Sequence, residues 1–379
     1  MKPTTRRSFL KTTALAAPAI VGLNLLAQAQ TTREGKRGIA LCGLGRFSER
    51  SIAPELAFAK DVYFAGVITG DPQGKGRQWA QQYGFPEKNI FTYADMATLA
   101  DCADISIVHV VTPNGLHAEH AIAAAKAGKH VMCEKPMATS SEQCEAIIAA
   151  AKSSGVRLGV DYRLHFEPHH VEMMRLAREK VYGTVKCITA EFSWPTAPGK
   201  VWLLNKQLAG GGAAFDTGVY AIQAGCYLTG ETPTYVSAIP TSTRDVFPAD
   251  IEETMSYTLQ FPGGAVMQGR ATYATNLSQC VVACDKGIFS CVGGPQGGSP
   301  FSQSLRGKPN DKQLQLPDKQ VFKAQDTLQQ AVLLDEFAQA INEQRAFKCP
   351  GEMGLRDIRI LEAIYASARQ GGTRTAVKA

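Results

Sequence analysis

The sequence predicts an α/β fold in two parts: a parallel sheet wound with helices, then an α+β domain whose sheet is mainly antiparallel. Three observations carry this. From residue 38 to 160, short apolar runs alternate with stretches of helical periodicity, the pattern of βαβ units. Beyond about Tyr162 the runs lengthen and become rich in β-formers, with helical stretches only interrupting them. A glycine turn, Gly43-Leu44-Gly45, follows the first apolar run directly. At 379 residues the chain has room for about two such domains.

The first 29 residues read as a targeting segment rather than as part of the fold. Thr5-Arg6-Arg7-Ser8-Phe9-Leu10-Lys11 precedes an apolar stretch over 12–26 and a small-x-small site at Ala27-Gln28-Ala29, so the mature chain would begin at Gln30. The paired arginines resemble a twin-arginine signal, which predicts delivery of the folded protein to the periplasm by the twin-arginine export machinery. The apolar stretch is about 15 residues long and contains Pro18 and Asn24, short of the ~20 that a membrane span needs. No stable membrane anchor is therefore expected.

The first domain is placed at 30–160. Strands are expected over 38–42, 62–69, 105–111, 130–133 and 156–160, with helices over 76–83, 117–127 and 141–152. Ser140 with Gln143 three residues on predicts a capping box for the last helix. Pro54 is expected to shorten or kink the helix after the glycine turn. The second domain is placed at 161–379, with strands over 185–194, 254–261, 265–273 and 279–283 and helices over 213–228, 328–342 and 355–369. The Gly/Pro-rich stretch 293–300 reads as a surface loop.

Charge excludes one class of partner. The 40 basic against 34 acidic residues include Lys2, Arg6, Arg7 and Lys11, all in the targeting segment, where there is no acid. The remainder forms no clustered basic footprint, so no nucleic acid partner is expected. Cys280 and Cys284 have no second close pair to complete a four-thiolate zinc site, and folding before export would take place in a reducing compartment. The ten cysteines are read mostly as buried thiols. His165, His169 and His170 with Glu167 have spacings that suit no standard motif, and no metal is expected. His169 and His170 are placed near a helix start, and His165 is kept as a substrate-pocket candidate.

The chemistry-bearing residues lie at strand ends. Gly43-Leu44-Gly45-Arg46-Phe47-Ser48 is G-x-G-x-x-S, one small residue from the dinucleotide fingerprint. Its position lets backbone amides meet a pyrophosphate at a helix N-terminus, which makes the first domain a Rossmann dinucleotide-binding domain with Gly43, Gly45, Arg46 and Phe47 at the cofactor. The second strand ends Thr69-Gly70-Asp71, so the carboxylate that would bind a free ribose is displaced, while Thr69 and Lys75 could hold a 2′-phosphate. NADP is expected, and Asp71, one or two positions late, leaves NAD possible. Thr112-Pro113-Asn114 and Glu134-Lys135-Pro136 end the next two strong strands, where open parallel sheets bind their ligands.

A lysine beside a nicotinamide can polarise a substrate hydroxyl, although Lys-Pro alone is also an ordinary loop dipeptide. Gly210-Gly211-Gly212 precedes a helix on which Asp216 and Tyr220, four residues apart, share a face. A phenol and a carboxylate facing one lysine form the acid/base group that hydride transfer from an alcohol requires. The alternative for Tyr220 is a core aromatic with a bonded hydroxyl.

Taken in order, these motifs resemble the Gfo/Idh/MocA oxidoreductase family, with its glucose-fructose oxidoreductase branch nearest. The likeness runs on through His117-Ala118-Glu119, Ala127-Gly128-Lys129-His130, Tyr162-Arg163 and Pro350-Gly351-Glu352. It implies a second domain with a large, mainly antiparallel open sheet that packs against another subunit in a homodimer or homotetramer. It implies a reaction site of Lys135, Asp216 and Tyr220, with Tyr220 the proton donor and acceptor and Lys135 aimed at the nicotinamide by a cis peptide before Pro136. His117 and Glu134 join Pro113, Asn114 and Lys135 as cofactor residues, and Tyr162, Arg163, His165 and Trp202 line the substrate pocket. The helix over 355–369 is expected to pack back toward the first domain.

The implied activity is NAD(P)-dependent oxidation of CH–OH groups in a sugar or polyol. The periplasm holds no nicotinamide pool, so the cycle is expected to close on tightly held cofactor by ping-pong hydride transfer. Two rivals stay open: a glycosidase using transient oxidation by NAD, and a non-catalytic sugar or cofactor sensor. The chain departs from its nearest branch in a short segment over 30–37 and in Val201-Trp202-Leu203-Leu204-Asn205-Lys206, where that branch is arginine-rich. The sugar is therefore not transferable.

Overall fold

The computed structural model describes residues 35–195, 201–276, 278–293, 301, 312–322, 324–325 and 327–378. The targeting segment expected over 1–29 and the part of the Gly/Pro-rich stretch over 294–300 lie outside the described residues.

Apolar runs too short for helices form six parallel strands: β1 (Arg37–Cys42), β2 (Val62–Ile68), β3 (Ile90–Phe91), β4 (Ile107–Val110), β5 (His130–Cys133) and β6 (Leu158–Val160). Their order is β3-β2-β1-β4-β5-β6, which reverses at β1 and opens a crevice at the carboxyl ends of β1 and β4. Ile39, Leu41, Val67, Val108 and Val131 are fully buried. Helices α1 (Ala53–Leu56), α2 (Arg77–Tyr83), α3 (His117–Lys126) and α4 (Ser141–Ser153) connect these strands. Pro54 sits in the first turn of α1, which runs only four residues after a π-helical turn at Ser48–Ile52. Ser140 caps α4 by accepting from the Gln143 amide at 3.3 Å. The Gln143 side chain turns to the Thr139 amide and hydroxyl instead, so the capping box is half formed.

The second domain carries α5 (Pro168–Arg178), β7 (Val185–Ser193), α6 (Lys206–Ala209), α7 (Val219–Thr229), β8 (Tyr235–Thr241), β9 (Thr254–Gln260), β10 (Val266–Thr272), β11 (Gln279–Cys284), β12 (Gly287–Val292), β13 (Gln313–Gln315) and β14 (Val321–Phe322). The chain continues through α8 (Gln329–Asn342), α9 (Gly351–Arg369) and β15 (Thr375–Ala376). Its nine strands run β14-β13-β12-β11-β7-β10-β9-β8-β15. The β7–β10 pair is parallel and the others are antiparallel. On β9, Met255, Tyr257 and Leu259 are buried while their neighbours are not, the alternation of a sheet covered on one face. Both edges are strands of two residues, which blunts them.

The division at residue 160 is not clean, because the last two helices return to the first domain. The Glu55 carboxylate accepts from the Gln330 and Ala331 amides at the start of α8, at 2.8 and 3.3 Å. Asp335 of α8 accepts from the Lys60 and Asp61 amides. Glu362 of α9 holds both the amide and the hydroxyl of Ser141, and Arg359 pairs with Glu145 at 3.0 Å. Helix α9 thus packs back as the resemblance implies, and it begins at Gly351 rather than 355, directly behind Pro350. All ten cysteines are free, and seven of them are buried. Among the described residues no helix is long and apolar enough to cross a membrane.

Candidate active site

The glycine turn is shaped by close backbone approach. Gly43 has φ +100°, and a Cβ there would stand 3.0 Å from the Val111 carbonyl and from Thr112, so only glycine fits. Around Gly45 the corresponding space is open. Ser48 replaces the third glycine at no polar cost, because its buried hydroxyl donates to the Gly43 carbonyl at 2.6 Å. Arg46 is exposed beside the turn, and Phe47 packs partly against the core. A turn of this shape at the start of a helical segment fits a dinucleotide pyrophosphate.

At the end of β2 the Asp71 carboxylate accepts from the Gly74 and Lys75 amides, both at 2.9 Å. Those two backbone bonds hold its carboxyl below the usual carboxylate range. Asp71 is thus occupied within its own turn. The Thr69 hydroxyl accepts from the Asp71 amide at 3.1 Å. Lys75 Nζ pairs with Glu49 at 3.1 Å and lies 5.5 Å from the Trp79 ring centroid.

The loop after β4 joins the two domains. Asn114 Nδ2 donates to the Ala209 carbonyl at 2.9 Å. His117, fully buried, faces the Thr112 carbonyl at 2.7 Å and the Pro136 carbonyl at 2.9 Å through its two ring nitrogens. Burial pulls its pKa down to about 4, so the ring is neutral and donates one N–H at a time. His117 thereby pins the loop that carries Pro113 to the Pro136 carbonyl, one peptide beyond the cis Lys135–Pro136 bond.

Lys135, Asp216 and Tyr220 come together across the domain boundary. Lys135 Nζ donates to the Asp216 carbonyl at 2.8 Å, stands 3.6 Å from Asp216 Oδ1 and lies 4.7 Å from the centroid of the Tyr220 ring. Asp216 sits in a π-helical turn, Ala214–Gly218, that leads directly into α7 and Tyr220. The start of that turn is fixed by Glu252, whose carboxylate accepts from the Gly212 and Ala214 amides at 3.0 and 2.9 Å and from the Tyr365 hydroxyl. A Cβ on Gly212 would overlap the Glu252 carbonyl at 2.0 Å, which explains the glycine. The Tyr273 hydroxyl donates to Asp216 Oδ2 at 3.1 Å.

The Arg163 guanidinium lies 4.9 Å from the Tyr220 ring centroid, and its nitrogens donate to Gln329 and to the Phe301 carbonyl. Tyr220 also packs edge-on against Phe192. It therefore belongs to an aromatic wall while its ring faces the Lys135 ammonium. Burial alone would lower the Lys135 pKa, but Tyr220, Asp216 and Glu134 together outweigh it and leave the ammonium held above its ordinary value. Lys135 is a fixed cation, not a base.

Other predicted residues are committed elsewhere. The Tyr162 hydroxyl donates to Asp357 at 2.6 Å, an oxygen that Gln223 also donates to. His165 lies between the rings of Tyr162 and Tyr227, and burial lowers its pKa to about 3. Trp202 is half-buried on a short 3-10 turn, Val201–Leu204, ahead of α6. His169 bonds Glu167 at 2.8 Å, and the His170 amide donates to the same carboxylate at the start of α5, where both histidines were expected. Lys312, fully buried, completes that cluster at 3.5 Å. Sequence reasoning did not single out Tyr273, Glu252, Tyr365, His109 or Asp161. A terminal strand tyrosine and a lone acid in a loop carry no local signal.

Residues 37–162 match a family model described as an oxidoreductase family with an NAD-binding Rossmann fold, and residues 170–290 match the GFO/IDH/MocA C-terminal domain. The fold is similar to that of aldose-aldose oxidoreductase from Caulobacter crescentus, complexed with glycerol. The two are 34% identical with a TM-score of 0.82, over 89% of this chain and 98% of that one. The chain is 24% identical to the NADP-dependent D-xylose 1-dehydrogenase of Haloarcula marismortui over 360 residues, 91% of this chain and 95% of that protein. It is 22% identical to D-glucoside 3-dehydrogenase of Escherichia coli strain K12, over 88% of this chain and 95% of that protein.

Proposed function

The chain belongs to the Gfo/Idh/MocA family of NAD(P)-dependent oxidoreductases that act on CH–OH groups, and on that premise we propose an exported, NADP-dependent sugar or polyol oxidoreductase with a closed two-substrate cycle. The observation that carries the proposal is the meeting of Lys135 from one domain with Asp216 and Tyr220 from the other. When bound, the nicotinamide supplies hydride acceptance from one alcohol carbon and hydride return to a second carbonyl carbon. The chain's own residues handle the proton. Tyr220 takes the hydroxyl proton of the first substrate and gives it back to the second. The Lys135 ammonium binds the reacting oxygen and stabilises the negative charge that develops as the proton leaves. Asp216, held by Tyr273 and by Lys135, fixes that ammonium in place.

Gly43 and Gly45 would admit the pyrophosphate, with Arg46 and Phe47 beside the turn, and Thr69 and Lys75 would hold a 2′-phosphate. Use of Asp71 within its own turn supports NADP over NAD, since it leaves no carboxylate aimed at a free ribose. The targeting segment supports the closed cycle, because a cofactor released in the periplasm would not be recycled. A relative whose name pairs two aldoses supports it too. Ile239, Val266 and Ile288 stand exposed on strands of the nine-stranded sheet and support its use as the contact face of a homodimer or homotetramer.

The test is acid release and identification of nucleotide from the purified mature protein, then spectroscopy with a panel of aldoses. The proposal expects bound NADP whose reduced-nicotinamide band rises with one sugar and falls with a second carbonyl compound. Protein that emerges without nucleotide, or that liberates nitrophenol from aryl glycosides, contradicts it.

A further inference from the structure

A second cluster of ionisable groups lies beneath Lys135, at the ends of three neighbouring strands. His109 lies within β4 opposite Met132 of β5, Glu134 follows β5 and Asp161 follows β6. His109 Nε2 stands 3.3 Å from Asp161 Oδ2 and 3.9 Å from Glu134 Oε1, and one donor atom from each of the three residues lies within 4.8 Å of the others. His109 and Asp161 are 0% and 1% exposed, and Glu134 is buried beside them. None of the three converging atoms has a hydrogen-bond partner among the described residues.

The remaining carboxylate oxygens are held from outside. Glu134 Oε2 accepts from the Lys135 amide at 3.2 Å, and Asp161 Oδ1 accepts from Gln330 Nε2 of α8 at 3.3 Å. Each carboxylate is therefore oriented by an outer donor and turns its other oxygen inward toward the imidazole, the arrangement of oriented metal ligands. The neighbouring ammonium, Lys135 Nζ, is directed at Asp216 instead.

Buried carboxylate oxygens are costly unless cations or donors meet them, and among the described residues no donor meets the two oxygens turned inward here. A divalent ion brings the set of two carboxylates and one imidazole to zero net charge. Bonds of about 2.0–2.2 Å in a tetrahedral arrangement space ligand atoms roughly 3.3–3.6 Å apart, close to the two separations seen here. A histidine with two carboxylates suits a transition ion better than magnesium or calcium, which take six or more oxygens.

We propose that His109, Glu134 and Asp161 bind one divalent transition-metal ion, zinc(II) as the reference case, joining the ends of β4, β5 and β6 beneath the Lys135 loop. Sequence reasoning could not find it. The three residues come from three separate strands, with no pair at ligand-motif spacing.

The test needs no sugar turnover, so it stands or falls apart from the proposed function. Full-length mature protein, purified without metal-affinity resin, is analysed by plasma mass spectrometry, stripped with chelator and titrated with zinc(II) and cobalt(II). The proposal expects about one equivalent of metal per chain, a melting temperature that rises on adding zinc(II), and visible ligand-field bands with cobalt(II). Asp161→Asn is expected to weaken zinc(II) binding by ~10-fold or more, in the range seen when one metal-site partner is lost. Metal at background together with no thermal response to zinc(II) or cobalt(II) in the wild-type chain overturns it. In that case Asp161→Asn is expected to be no less stable than the wild type.

Discussion

Two groups of side chains in this molecule look alike on paper and do different work. Lys135 with Asp216 and Tyr220, and Glu167 with His169, His170 and Lys312, each join a carboxylate to cations beside aromatic rings. They differ in what remains reachable. The Lys135 and Asp216 side chains keep 11% and 15% exposure, while Lys312 and Glu167 keep 0% and 5%. The first group is assembled from two domains and keeps part of its surface open. In the second, the carboxylate caps α5 and spends its charge on its own neighbours. A concentration of ionisable residues therefore marks a site only where charge is left for something that arrives from outside.

Removing the central cation should break the comparison most sharply. Lys135→Met is expected to lower turnover by about 10²–10⁴-fold with little change in melting temperature, checked by steady-state rates beside calorimetry. The converse holds for Glu167→Gln. Loss of one partner from a buried charged cluster costs about 3–5 kcal/mol of stability, measured by urea unfolding, while the folded fraction keeps its turnover.

Acid should also separate the two groups. His169, Lys312 and His170 outweigh burial and hold the Glu167 carboxyl far below the usual range. Its stabilising contribution is full above the unfolded carboxylate pKa of ~4.3 and is lost as pH falls toward the folded value. The buried neutral rings act earlier. His117 and His165 have folded pKa values lowered to about 4 and about 3, so the unfolded chain binds more protons once pH drops below ~6.5. Each should cost up to about 1.4 kcal/mol per pH unit between ~6.5 and its folded value. His165→Leu should flatten that slope in a pH series of denaturant melts. A slope unchanged by His165→Leu would show that the ring is not buried neutral.

Smaller effects sharpen the account of the reaction centre. Tyr273→Phe removes one hydrogen bond to a charged carboxylate and is expected to cost about 1.5–3 kcal/mol of transition-state stabilisation, roughly a 10- to 100-fold fall in kcat. Cofactor affinity should not move with it. Lys75→Glu is expected to shift preference from NADP toward NAD by about fivefold, near 1 kcal/mol, read from the two dissociation constants. An unchanged ratio would remove Lys75 from the 2′-phosphate site.

Legibility in the sequence followed the range over which each signal acts. Five of the six strands of the first sheet were readable because each is a short, continuous apolar run with helical patterns between, and Gly43 to Ser48 is a local motif, whereas β3, only two residues long, was missed. Strands β8 and β12 to β15 were missed for the opposite reason. They are short or only alternately apolar, with Pro240 inside β8, and pairing across the sheet rather than local composition forms them. At the reaction centre, Lys135, Asp216 and Tyr220 lie in recognisable local contexts. Tyr273, which holds Asp216 from 57 positions away, and Glu252, which fixes the start of its turn, act only through the folded chain. The return of α8 and α9 to the first domain is of the same kind. The anchors Glu55 and Glu362 are single acids whose partners are amides or a hydroxyl far along the chain.

The central claim is that Tyr220 moves the substrate proton beside a fixed Lys135 cation. Single-turnover hydride transfer by Tyr220→Phe, loaded with NADP and mixed with an aldose that reduces the wild-type enzyme, tests it most directly. The account predicts unchanged cofactor affinity and a reduced-nicotinamide band that forms at least about 100-fold more slowly. A band that forms at close to the wild-type rate would contradict it.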